Sequence, residues 1–215
     1  MANIAVILSG CGVFDGSEIN ETVLTLLSLE KNDASYQCYA PDMEQHHVID
    51  HISGVEQSSP RNVLVESARI TRGNVKPLRD LDEKKYDALI VPGGFGIAKN
   101  LCDFALKGED YSVLNEFQNV MEAFALAKKP AGYMCIAPIL LPKVYRNIKC
   151  TIGNDKATAK VIENLSGIHI DCAVDDIVTD AEHKVVTTPA YMLADNIYQA
   201  HQGIEKLVVK ILSMV

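Results

Sequence analysis

Lys129-Pro130-Ala131-Gly132-Tyr133-Met134-Cys135-Ile136-Ala137-Pro138 is the stretch that decides the fold. A short apolar run reaches a single cysteine and passes, with no polar linker, into a helix-compatible segment that carries Pro138 in its first turn, where a missing N–H costs nothing. This pattern predicts a strand, a tight turn and a helix. A side chain at such a turn stands clear of the sheet edge, and the partial positive charge of a helix N-terminus beside it favours thiolate over thiol. The competing reading is a buried cysteine that behaves as a small hydrophobe. The rest of the chain has to choose between them.

Two other stretches repeat the pattern. Ile4 to Leu8 is an apolar run ending in Ser9-Gly10-Cys11-Gly12, and Tyr86 to Val91 runs into Pro92-Gly93-Gly94-Phe95-Gly96. Both read as buried parallel strands closed by glycine turns. After the first, Asp15-Gly16-Ser17 offers caps for a helix from Glu18 to Leu29, whose period puts Ile19, Val23, Leu26 and Leu27 on one face as its buried stripe. Glu18 falls in the first turn, where an acidic side chain also suits the helix dipole as a plain cap.

Further strands are expected at Ala34–Ala40 and Lys184–Thr188, with short β-type runs at 149–152, 168–170 and 176–179. Helices are expected over Arg61–Arg72, Leu101–Leu106, Val113–Lys128, Ile136–Tyr145 and Lys156–Leu165. The last helix runs over Ala194–Met214, with Ile197, Ile204, Leu207, Val208 and Ile211 buried. Met43 to Gln57 reads as a short strand or hairpin. Its adjacent His46 and His47 cannot both point into one site from a strand, so these and His51 read as a solvated face rather than a metal site.

Strands alternating with helices build βαβ units, so the expected class is α/β, a mostly parallel sheet with helices on both faces, as one domain over residues 1–215. In such a sheet the ligand crevice lies beyond the carboxyl ends of the strands. The turns at Ser9–Glu18, Gly93–Gly96 and Cys135 therefore share one edge.

Composition narrows the function. With a formal net charge of −8 and a pI of about 5.2, the chain repels phosphate backbones and anionic membranes, so neither nucleic acid nor membrane is an expected partner. The start of the chain lacks a signal peptide's basic flank, and a cytoplasmic location is expected. Six scattered cysteines with no C-x-x-C pair indicate neither zinc nor a disulfide framework. The Gly93 turn lacks the Lys-Ser/Thr pair of a phosphate loop and the spacing of a dinucleotide fingerprint. No cofactor or metal is expected.

What remains is carbonyl chemistry. Cys135 is the candidate nucleophile, the amides of Gly94 and Ile136 are candidate oxyanion donors, and Glu18 is the candidate acid/base. Two ionised groups at hydrogen-bond distance would repel, so Glu18 and Cys135 are expected to share one proton. Cys11, Asn100 and Tyr191 are candidates to line the crevice.

Pro92-Gly93-Gly94, the Gly132-Tyr133-Met134-Cys135 elbow and the early Glu18 resemble the ThiJ/PfpI group of the class I glutamine amidotransferase-like superfamily. The similarity is greater to the ElbB-type glyoxalases. It runs through Val6–Val13, Asp15–Ile19, Asn62–Leu64, Ala68–Gly73, Ala88–Gly96, Ala98–Asn100, Met134–Pro138 and Val186–Ala194, and so covers essentially the whole chain.

The resemblance implies a flavodoxin-like three-layer sandwich, a homodimer, and a cofactor-free, glutathione-independent conversion of glyoxal or a related small dicarbonyl to the 2-hydroxy acid. In that chemistry Cys135 forms a hemithioacetal and Glu18 moves the proton. Two departures from the family pattern bear on it. Ile136 stands where many relatives place histidine, and Thr187-Thr188-Pro189-Ala190 stands where amidotransferases carry His-x-Glu, which argues against glutamine hydrolysis. The alternative function is a cysteine-based redox sensor, or a regulatory metabolite-binding protein with little catalysis of its own.

Overall fold

The computed structural model describes residues 1–215. In chain order the elements are β1 (Asn3–Ile7), α1 (Ile19–Lys31), β2 (Ser35–Ala40), α2 (Val63–Ile70), β3 (Val75–Pro77), β4 (Ala88–Val91), α3 (Phe104–Lys107), α4 (Asn115–Leu126), β5 (Ala131–Met134), β6 (Lys149–Cys150), α5 (Lys156–Asn164), β7 (Ile168–His169), β8 (Val178–Asp180), β9 (Val185–Thr188) and α6 (Ile197–Leu212). Seven strands form one sheet in the order β3-β2-β1-β4-β5-β9-β8. Every pairing in it is parallel except β8 with β9 at the edge. β6 and β7 make a separate two-stranded parallel pair.

Burial on both faces explains the unbroken apolar runs of the central strands. Along β1, Ile4 and Val6 enter a core shared with Leu29 and the α6 residues Ile204, Leu207 and Val208. Ala5 and Ile7 enter the opposite core with Phe117, Met121 and Phe124 of α4. This is the flavodoxin-like sandwich. In β5, Tyr133 fills the α4 side, while Gly132 faces α6 so closely that a Cβ there would lie 2.7 Å from Leu207 Cδ2. No helix is long and apolar enough to cross a membrane.

The structure departs from the expected elements in several places, and β3 answers to no expected strand. Ile136–Tyr145 forms a 3₁₀ stretch, Ala137–Lys143, because Pro142 removes an α-helical donor. Met43–Gln57 takes the hairpin alternative without a regular strand, Ile49 bridging Glu56 in antiparallel fashion with the Gln57 amide donating to Val48 O. Leu101–Leu106 divides into a π-turn, Ile97–Leu101, and the short α3.

The larger correction concerns α1. Ile19, Val23 and Leu27 are exposed, whereas Glu21, Thr22, Leu24, Thr25, Ser28 and Leu29 are buried. Hydrophobic periodicity alone assigned the wrong face, because this helix turns a mostly polar side toward the sheet edge. On α6, Ile197 is likewise exposed while the rest of the expected stripe is buried. The inversion is testable with two neighbours. Leu24→Ala is expected to lower unfolding free energy by about 2–5 kcal/mol and Val23→Ala to change it by about 0.5 kcal/mol or less, read from urea denaturation midpoints.

Candidate active site

The three glycine-marked turns meet. The Gly96 amide donates to Gly16 O at 2.8 Å, the Phe95 amide to Val13 O at 2.8 Å, and the Glu18 amide to Gly93 O at 3.0 Å. Close approach is possible because Gly94 sits at φ +99°, where a Cβ would come within 2.3 Å of Gly16 O. Cys135 follows β5 at φ +57°, a left-handed conformation that a non-glycine residue holds only under tertiary constraint. Its amide donates to Thr188 O at 3.1 Å, which ties the elbow to β9. The Cys135 amide is thereby spent, and the amides that favour negative charge on its sulfur are those of Gly94 and Ile136.

The carboxyl group beside the thiol is Glu21, one helical turn beyond Glu18. Glu21 is completely buried and forms a side-chain hydrogen bond with Cys135. Its Oε2 accepts from the Gly93 amide at 2.8 Å and its Oε1 from the Tyr191 amide at 3.1 Å. Glu18, expected as acid/base, instead caps α1: its Oε2 accepts from the Glu21 amide at 2.6 Å, so the side chain turns back on its own helix. Burial raises the Glu21 pKa to about 7, the negative charge of Glu18 adds to the rise, and the two amide donors oppose it. Burial likewise raises Glu18, and the amides of its own first turn oppose the rise.

The thiol differs from the sequence expectation. A 3₁₀ stretch, not an α-helix, follows Cys135, and burial together with the Glu21 charge pushes its pKa well above the ordinary value. The resting group is a thiol beside a carboxyl group that titrates near neutrality.

Cys135 opens on a cavity of about 400 Å³ walled by Val13, Gly94, Phe95, Ala98, Phe104, Ala105, Ile136 and Met192, with Glu18, Asp155, Thr158 and Tyr191 as its polar groups. Of the expected crevice residues, Tyr191 is in this wall, its hydroxyl accepting from Asn20 Nδ2 at 3.1 Å. Asn100 is not. It is buried behind the turn, donating to Ser9 O and Asp15 O and accepting from the His46 amide. Cys11 lies outside the cavity, half-buried near Glu66 and Arg69. No histidine lines the cavity. His169 Nε2 accepts from the Ile152 amide, and His183 pairs with Asp180. No group of His, Cys, Asp or Glu residues is disposed to hold a metal ion.

Sequence reasoning missed Glu21, Phe104, Asp155 and Thr158. The one available signal for Glu21 was a polar row, Glu21, Thr25 and Ser28, spaced along one side of α1.

Two outcomes test this geometry. A Cβ at Gly93 would stand 2.5 Å from Cys135 Cβ and 2.7 Å from Glu21 Oε2, so Gly93→Ala is expected to cost at least about 2 kcal/mol of stability in denaturant melts. A carboxyl whose native pKa exceeds its unfolded value binds its proton more tightly in the native state, so stability falls as pH rises from the ordinary 4.5 to about 7. Acidifying from pH 8 to pH 5 is therefore expected to stabilise wild type relative to Glu21→Gln by up to about 3 kcal/mol.

No protein-family model matches the sequence. The chain is 42% identical over 223 aligned residues to the rat "ES1 protein homolog, mitochondrial", covering 99% of this chain and 84% of that protein. It is 43% identical over 223 residues to the human "Glutamine amidotransferase-like class 1 domain-containing protein 3, mitochondrial", covering 99% and 83%. The crystal structure of an isoprenoid biosynthesis protein with amidotransferase-like domain from Ehrlichia chaffeensis superposes with a TM-score of 0.91 at 36% identity, covering 99% of this chain and 100% of that one. Glyoxalase III from Candida albicans shares the fold with a TM-score of 0.65 at 14% identity, over 99% and 97% of the two chains. The expected cytoplasmic location is overturned by the names of these relatives, the rat and human proteins both being mitochondrial, and a missing basic flank does not specify a compartment. The chain belongs to the ES1 family of glutamine amidotransferase-like class 1 domain proteins.

Proposed function

We propose that the chain is a cofactor-free glyoxalase of the ElbB type, in which Cys135 is the nucleophile and Glu21 moves the proton. One observation carries this reading: a buried thiol hydrogen-bonded to a carboxyl group of pKa about 7, on the wall of a cavity able to hold a carbonyl compound. The shared fold of the Candida albicans glyoxalase III agrees with it.

The thiol gives its proton to the Glu21 carboxylate as sulfur bonds to the aldehyde carbon. The developing oxyanion lies where the Gly94 and Ile136 amides can stabilise it, and it takes the proton back from Glu21 to complete the hemithioacetal. Glu21 next removes the proton from that carbon and the neighbouring carbonyl becomes part of an enediolate. Glu21 returns that proton to the second carbon while the hydroxyl proton of the first carbon passes to the oxygen of the second, which leaves a 2-hydroxy thioester, and water hydrolyses it to the 2-hydroxy acid and free thiol. The redox change stays within the substrate, and the balance is dicarbonyl plus water. Glutamine hydrolysis is the poorer reading, because no imidazole lines the cavity to protonate a leaving amine. A redox sensor is poorer too, because burial holds Cys135 as the less oxidisable thiol.

Cys135→Ala is expected to abolish glycolate formation from glyoxal, and full activity in that variant would refute the mechanism. Glu21→Gln is expected to lose about 10²- to 10⁴-fold in kcat/KM. Because Glu21 acts first as a base, wild-type kcat/KM should rise with pH through about 7. The charge of Glu18 contributes to that value, so Glu18→Gln should keep activity and move the midpoint to lower pH. Loss of activity in Glu18→Gln with none in Glu21→Gln would exchange the two roles.

A further inference from the structure

The cavity is far larger than glyoxal requires. Sites of about 300–1,000 Å³ hold drug-sized ligands, and the smallest dicarbonyl would leave most of the 400 Å³ beside Cys135 unfilled. Its walls are mainly aliphatic and aromatic, with the rings of Phe95 and Phe104 among them, and burial of an apolar body against them is favourable.

The charges in the wall all have one sign. Glu18 and Asp155 are its only ionisable carboxylates, and no lysine, arginine or histidine lines it. The two nearest cations in sequence face elsewhere. Lys99 follows the wall residue Ala98, but its ammonium donates to Phe14 O and lies over the Phe95 ring, 5.5 Å from its centroid, in a neighbouring hollow that shares Phe95 with the cavity. Lys156 follows Asp155 and lines another hollow with Lys160 and His169. Asp155 caps α5 by accepting from the Thr158 amide at 2.8 Å, a bond that holds its carboxyl below the ordinary range and therefore ionised.

From this arrangement we infer that the cavity selects carbonyl compounds with an uncharged, apolar body of aryl or medium-alkyl size and rejects those carrying an anionic group, with Asp155 as a specificity-determining residue. The inference rests on the proposed carbonyl chemistry for the reacting end of the molecule. Its selectivity is a property of the cavity and can be read without turnover.

The test is alkylation of Cys135 by two probes of closely similar shape, N-(4-carbamoylphenyl)maleimide and N-(4-carboxyphenyl)maleimide, followed by mass spectrometry of the Cys135 peptide and referenced to free glutathione. Wild type is expected to react at least about five-fold faster with the neutral probe after that normalisation. Asp155→Asn, which keeps a capping side chain and removes the charge, is expected to bring the ratio down toward one. An unchanged ratio in Asp155→Asn, a wild-type preference for the carboxylate probe, or a Cys135 that neither probe reaches would each overturn the inference. Parallel turnover assays with glyoxal and phenylglyoxal separate it from the proposed function. Discrimination in alkylation with no turnover upholds the selectivity and removes the glyoxalase reading. Glyoxal turnover with no discrimination does the reverse.

Discussion

A carboxyl group removed from water has to be satisfied by the protein, and the active edge of this molecule is arranged around doing so for Glu21. An unpaired buried carboxylate is costly enough to disrupt a fold, so the amides of Gly93 and Tyr191 and the thiol of Cys135 converge on it from three separate segments. Each of those segments is bent to make the approach. Gly93, two residues beyond β4, has no space for a methyl group, Cys135 just after β5 is left-handed, and the chain after β9 turns through Ala190 at φ +45°. The residual mismatch between burial and these donors leaves Glu21 titrating near neutrality. The strain at the elbow and the altered basicity of the carboxyl are thus two sides of one arrangement.

The frame of the fold was legible because it rests on the strongest local signals. The apolar runs at Ile4–Leu8 and Tyr86–Val91 are buried on both faces by helices, and their glycine endings mark the edge where the turns meet. The position of Cys135 at a strand-to-turn junction was legible for the same reason. The identity of its partner was not. Glu18 and Glu21 are a helical turn apart, and choosing between them requires knowing which side of α1 faces the sheet. The apolar row Ile19, Val23 and Leu27 pointed to one side, but that row faces outward and the side bearing Glu21 and Thr25 is turned in.

The same limit governs the rest of the cavity. Phe104, Asp155 and Thr158 come from α3 and α5, elements remote in sequence from the elbow, and nothing local in their segments marks them as neighbours of a thiol. Asn100 illustrates the converse. Its place beside the glycine turn was legible, yet its amide is consumed in bracing the backbone of Ser9 and Asp15 and never reaches the cavity. Proximity to a turn is encoded locally, whereas the direction of a side chain is set by everything packed against it.

The close fit of Gly132 against Leu207 couples the aim of the nucleophile to the seating of α6. Gly132 lies three positions before the nucleophile, and the surface it rests on belongs to the last helix of the chain. The strand that aims the sulfur therefore has α6 as its floor, and loosening that helix loosens the elbow.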